Sequence, residues 1–143
     1  MNPDSLKVKG VGAILINQCN EIILQKRTLD APSAAGKIGI FGGRSESDET
    51  LYDTLARELH EELEFDITNY RDKLIYLTHS ESLSTPGQYY LYYLLANIDD
   101  SALVLHEGES IIKVKKLSDI PEDQKSYGLT LITDKMIQNA LST

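Results

Sequence analysis

The sequence predicts a protein of the α/β or α+β class, with short strands and helices intermixed along one domain. Three observations carry this. Residues 8–16 and 21–25 are apolar segments flanking a polar turn, which reads as a β-hairpin. Residues 49–63 repeat Leu51, Leu55, Leu59 and Leu63 every four positions, the spacing of one helix face. Tyr89 to Ile98 is apolar on both alternating faces, as expected of a central strand covered on both sides.

The hairpin comes first, Val8 to Ile16 and Glu21 to Gln25, with Asn17 to Asn20 as its turn and Cys19 in that turn. Thr28 to Gly36 is rich in Pro, Ser, Ala and Gly and reads as a loop. Lys37 to Phe41 is then a short strand ending at Gly42 and Gly43, paired glycines that let backbone approach a ligand closely. Asp48 or Ser47 would cap the helix from Glu49 to Leu63. Lys73 to Thr78 and Tyr89 to Ile98 read as strands separated by a Ser, Thr, Pro and Gly loop. Ile111 to Lys115 is another short strand. Leu129 to Leu141 places Ile132, Met136, Ile137 and Ala140 at helical spacing. No repeat, low-complexity tract or linker interrupts residues 1–143, so a single domain is expected.

Composition narrows the function. The 143 residues are 41% apolar and 25% charged, values of a soluble globular domain able to bury a core. The longest apolar run, Tyr89 to Ala96, is far short of the roughly 20 residues needed to cross a bilayer. The amino terminus lacks an apolar signal core, and one cysteine, Cys19, cannot form an internal disulfide, so a cytoplasmic location is expected. With 22 acidic against 14 basic residues the formal charge is −8, which disfavours a nucleic acid polymer or an anionic membrane as partner. A phosphorylated small molecule is still admitted, because carboxylates can hold a divalent ion that reverses the local charge.

The acids are not spread evenly. Stepping about 100° per residue from Leu51, the apolar stripe covers roughly 0 to 140°, Glu62 falls near about 20°, Glu58 near about 340° and Glu61 near about 280°. Glu62 therefore lies inside the edge of the apolar stripe, with Glu58 beside it. An ionised carboxylate there loses hydration, at several kcal/mol, unless a cation or hydrogen bonds compensate. Acids three and four residues apart stack on adjacent turns and can share Mg2+. In an ordinary helix such acids line a solvated face, with Arg57 and Glu61 as a simple ion pair. Here the pattern is longer: Gly43, five residues, Glu49, seven residues, then Arg57, Glu58, Leu59, any residue, Glu61 and Glu62. A chance match in a chain of this length has odds on the order of one in a million.

This string resembles the signature of the Nudix hydrolases. The resemblance implies an α/β/α sandwich with a mixed β-sheet. It also implies dependence on Mg2+, with Mn2+ as a substitute, and hydrolysis of a diphosphate bond in a nucleoside diphosphate linked to another group. Carried over residue by residue, it makes Glu58, Glu61 and Glu62 the metal-binding acids, assisted by the backbone carbonyl of Gly42. Arg57 would orient them, Glu49 would support Arg57, and Glu46, which matches a glutamate common in the preceding loop, would be a substrate-binding residue. Family members often add an acid from a distant loop. Within Leu105 to Glu109, Glu107 is favoured because Gly108 beside it permits a tight turn, with Glu109 nearly as good. Glu58 is the first choice of general base, and Arg27 a candidate to grip a phosphate.

Two positions depart from the signature: Glu64 stands where the family has glycine, and Phe65 where it has an aliphatic residue. That glycine ends the helix in a left-handed conformation, which costs a residue bearing a side chain about 1 to 2 kcal/mol. Since neither residue is a metal ligand, the expected consequence is reduced stability or a shifted loop, with activity kept. The tyrosines at 76, 89, 90, 92 and 93, with Phe41, read chiefly as core; His60 falls near about 180° and reads as solvated. The rival function is a non-catalytic module that senses a nucleotide. Retention of Glu58, Glu61 and Glu62 argues against it. Isomerisation of isopentenyl diphosphate, also found on this fold, resembles cysteine-dependent chemistry, and Cys19 sits in a turn. Homodimerisation and the group attached to the diphosphate are left open.

Overall fold

The computed structural model describes residues 5–142. The amino-terminal reading at residues 1–4, and the domain limits expected at residues 1 and 143, lie outside the described residues. Within them, seven strands form one mixed sheet pivoting on β1 (Val8–Asn17). One edge of β1 runs parallel to β6 (Tyr89–Ile98). The other edge is divided: Gly10 to Ala13 pair with β4 (Phe41–Arg44), and Leu15 and Ile16 pair with β2 (Ile22–Lys26), both antiparallel. β7 (Ser110–Val114) runs along all of β2, so β3 (Ile38–Gly39) shares the opposite edge of β2 with β1. β5 (Ile75–Glu81) closes the far side against β6. The parallel β1–β6 pair requires a long crossover, and helix α1 (Leu51–Leu63) lies within it.

Alternation along the strands feeds two cores. Val11, Ala13 and Leu15 of β1 pack with Leu55, Leu59 and Leu63 of α1; Ile14 and Ile16 point oppositely, toward Leu129 of α2 (Tyr127–Thr130) and Ile137 of α3 (Asp134–Leu141). Helices thus cover both faces of the sheet, giving the α/β/α sandwich. Each fully buried leucine contributes about 1.5–3 kcal/mol of transfer free energy, so the leucine stripe of α1 fixes which way that helix is rotated. β6 is the doubly covered strand its pattern predicts, with Tyr93 and Leu95 packing on the α1 side and Tyr92 and Leu94 on the other layer. A bulge at Asn97, whose φ is 58°, turns Ile98 back to the α1 side.

Several boundaries differ from the sequence reading. The strand expected over Lys37 to Phe41 is two strands, because the chain leaves β2 and joins β1 at Ile40. The Ile40 carbonyl accepts a hydrogen bond from Gln25 Nε2 at 3.3 Å. α1 begins at Leu51, not Glu49, and its cap is Thr50 rather than Asp48 or Ser47: Thr50 Oγ1 accepts from the Asp53 amide at 3.1 Å, and the Asp53 carboxylate accepts from the Thr50 amide. Asp48 has a φ of 70° and cannot occupy a cap position. The helix expected from Leu129 to Leu141 is broken, because Thr133 is extended and caps a new helix through the Met136 amide. Lys73 and Leu74 belong to a 3₁₀ turn and its end, so β5 starts later than expected and runs on to Glu81.

Candidate active site

The site is assembled where α1 crosses the end of β4. Gly42 has a φ of 142°, and a Cβ there would lie 2.1 Å from the Val11 carbonyl oxygen, so only glycine lets β4 press this closely on β1. Its amide donates to Glu62 Oε2 at 3.0 Å. At Gly43 a Cβ would lie 2.4 Å from the Glu58 carboxyl carbon, so the missing side chain is the space that Glu58 occupies. The paired glycines thus serve two glutamates one helical turn apart.

Arg57 binds this cluster from behind. Its Nε and Nη2 hold the two oxygens of Glu49 at 2.8 and 3.0 Å, and Nη1 lies 3.0 Å from Glu58 Oε1 and 3.4 Å from Glu61 Oε2. Nη2 also donates to the Arg44 carbonyl, which ties the end of β4 to the helix. The fork suits the planar guanidinium, and the Glu49 hydrogen bonds, then those of Glu58, hold Arg57 above its ordinary pKa. In turn the Arg57 hydrogen bonds, with the Glu46 amide, push Glu49 down to about 2.

Glu62 is only 2% exposed, and burial pushes its carboxyl up to about 8 against the Gly42 hydrogen bond, with Glu58 and Glu107 adding repulsion and Arg27 opposing it. Glu58 is also raised, first by burial, against Arg57, with Glu61 and Glu107 pushing the same way as burial. Glu58, Glu62, Glu107, Arg27 and Gly42 line one cleft of about 520 Å³. Tyr90, Tyr92, Leu83 and Tyr127 also line it. Among the described residues, no three His, Cys, Asp or Glu side chains converge as a closed metal cage. Glu58 is turned toward Arg57 and Glu62 toward the Gly42 amide.

A family model described as the NUDIX domain matches residues 6–130. The chain belongs to the NUDIX domain family. Solved structures share the fold of this Nudix domain. The Escherichia coli dihydroneopterin triphosphate pyrophosphohydrolase superposes with a TM-score of 0.68 at 16% identity, covering 96% of this chain and 99% of that one. A MutT structure from work on Aliivibrio salmonicida and Vibrio cholerae gives 0.63 at 21% identity, over 95% and 98%. A MutT NUDIX hydrolase from Burkholderia pseudomallei gives 0.64 at 20% identity, over 85% and 92%. No curated protein matches the chain.

Of the residues singled out in the sequence, Gly42, Glu58, Glu62, Glu107 and Arg27 share the cleft of this Nudix domain. Glu109 does not line it and pairs with Lys26 at 3.7 Å. Glu61 is exposed beside Arg57, and Glu46 lies 3.7 Å from Arg57 Nη1, also away from the cleft lining. Arg27 Nε is engaged by the Ser33 carbonyl at 2.8 Å, which aims the rest of its guanidinium. Glu64 does adopt the left-handed conformation, with φ 55° and ψ 30°, and its amide donates to the His60 carbonyl at 2.9 Å. Cys19 is exposed in its turn, and Asn17 Oδ1 accepts the amides of Cys19 and Glu21.

Sequence reasoning missed Arg44 and Tyr127 in the cleft lining. Arg44 had a signal, a cation placed immediately after two glycines. Tyr127 had none, since it arrives from a short helix far along the chain.

Proposed function

We propose that this Nudix domain is a pyrophosphohydrolase of acid anhydrides, cleaving a diphosphate bond in a nucleoside diphosphate linked to another group, with Mg2+ or Mn2+ as cofactor. The observation that carries the reading is Glu62, a carboxylate 2% exposed with one hydrogen-bond donor and with Glu58 and Glu107 lining the same cleft. A buried carboxyl crowded by two neighbouring carboxylates calls for a cation once it ionises. The donors are hard oxygens, and Mg2+ takes one or two carboxylates and completes its shell with waters and phosphate oxygens. The chemistry of the donor set suits the ion.

Glu58, Glu61, Glu62, Glu107 and the Gly42 carbonyl would hold the metal. An ion held there would supply charge neutralisation at the phosphates and a lowered pKa for the attacking water. Arg57 fixes Glu58 through Oε1, and Glu49 fixes Arg57, so the remaining oxygen of Glu58 is presented as the base that accepts a proton from the attacking water. Arg27 neutralises and orients a phosphate. Tyr90, Leu83 and Tyr127 line the cleft and receive the less polar part of the substrate. Glu46 takes part through Arg57. One Nudix domain accounts for the chain, acting in the cytoplasm on a small molecule and not on a nucleic acid polymer. Among the described residues no helix is long and apolar enough to cross a membrane.

The test is a Mg2+ assay against dinucleoside polyphosphates, sugar nucleotides, oxidised nucleotides and dinucleotide coenzymes, with products identified by mass. Metal-dependent cleavage of a diphosphate bond is expected. Ligand binding without turnover across the panel would replace this reading with a nucleotide sensor.

A further inference from the structure

The loop that carries Glu107 is fixed on both sides. Upstream, Leu103 and Leu105 pack on the core under α1, the Val104 amide donates to the Leu63 carbonyl at 3.0 Å, and the His106 amide donates to the Glu62 carbonyl at 2.9 Å. Downstream, Gly108 has a φ of 90° and the Glu109 amide donates to the Lys26 carbonyl at 2.7 Å. The last turn of α1 leaves carbonyls without intrahelical partners, and this loop supplies the donors. Glu107 is thus brought to the cleft by the same backbone that ends the helix at Glu62 and Leu63.

One side-chain contact joins these backbone anchors. The Glu64 carboxylate lies 2.7 Å from His106 Nε2, across 42 positions of sequence. Glu64 is the residue that departs from the family's glycine, and it accepts a left-handed backbone that glycine would take without strain. A glycine would end the helix more easily and could not reach His106.

We propose that Glu64 and His106 form a clasp that positions Glu107 against the cleft, so that the unusual residue after the glutamate pair serves site geometry at the expense of helix-end stability. Its bearing on activity rests on the reading of Glu107 as a metal ligand. The clasp itself is a statement about loop position, independent of that reading. Both members are positioning residues. The pair is about half exposed, so its strength is that of a surface contact.

The experiment compares full-length wild type with Glu64→Gly, Glu64→Gln and His106→Ala. Three quantities are measured: melting temperature in chelator, amide hydrogen exchange over residues 104–107 without metal, and affinity for Mn2+ alone by water-proton relaxation. For Glu64→Gly, an unchanged or higher melting temperature is expected. Exchange at Val104 and His106 should nevertheless speed up, and Mn2+ affinity fall, by about three- to fivefold, the scale of an exposed charged contact. His106→Ala should match those losses, the double variant should be no worse than either single one, and Glu64→Gln, which can still accept the hydrogen bond, should recover most of them. A role confined to capping would move melting temperature and leave exchange and Mn2+ affinity as in wild type; that result overturns the clasp. A wild type that binds no Mn2+ defeats the proposed function, and the exchange comparison then decides the clasp alone.

Discussion

Replacing Glu62 with glutamine separates what this residue does for the site from what it does to the fold. The side chain keeps its shape, and its oxygen can still accept the Gly42 amide. Burial pushes the Glu62 carboxyl from 4.5 up to about 8, so the folded metal-free protein holds this proton far more tightly than the unfolded chain does. The stability this provides is complete below 4.5 and is lost as pH rises toward 8. Linkage at about 1.4 kcal/mol per pH unit makes the loss between pH 5 and 7.5 about 3 kcal/mol.

The glutamine variant has no such titration, and its constant cost of burying an amide cancels when two pH values are compared. Urea unfolding in chelator should therefore show the stability difference, variant minus wild type, growing by about 3 kcal/mol between pH 5 and 7.5, a shift on the order of 10 °C in melting temperature. Added Mg2+ should erase much of the wild-type deficit at the higher pH and do little for the variant. In the same preparations, Mg2+-dependent turnover of the variant should collapse. Parallel pH curves for the two proteins would show that Glu62 is not a strained buried acid, and near wild-type turnover would refute its place at the metal.

Three further outcomes are expected. Gly42→Ala and Gly43→Ala, adjacent in sequence, should part company in calorimetry and kinetics. The first meets the Val11 carbonyl at a positive φ and should lose about 2–4 kcal/mol, while the second meets first the side-chain carboxylate of Glu58 and should lose turnover with little change in melting temperature. Arg57→Lys keeps the charge and loses the fork to Glu49 and Glu58. Chemical denaturation should register a loss of about 1–2 kcal/mol, and kcat should fall more than KM changes. For Asp134, burial raises the carboxyl, but the amides of Leu117 and Ser118 outweigh it and hold the pKa below the ordinary 3.8. Its contribution is present above 3.8 and fades as pH falls below it, so the destabilisation of Asp134→Ala, about 1–3 kcal/mol near neutrality, should shrink in acid titrations.

The sequence alone determined the features that depend on local periodicity. The four-residue leucine spacing fixes which face of α1 is buried, and the same arithmetic places Glu62 at its edge and Glu58 beside it, since a helix relates near neighbours by geometry alone. The double apolar pattern of Tyr89 to Ile98 likewise announced a covered central strand. What only the tertiary structure decided are relations between distant segments. Glu107 lines the cleft and Glu109 does not, because unpaired carbonyls at the end of α1 select which amides of the loop dock. The break at Ile40 exists because two strands compete for one stretch of chain, and Tyr127 and Leu83 line one cleft because a short helix and the loop between β5 and β6 arrive at it from distant parts of the chain. Such pairings are set by packing and by the demand that buried backbone groups find partners, and neither leaves a periodic trace in the residues themselves.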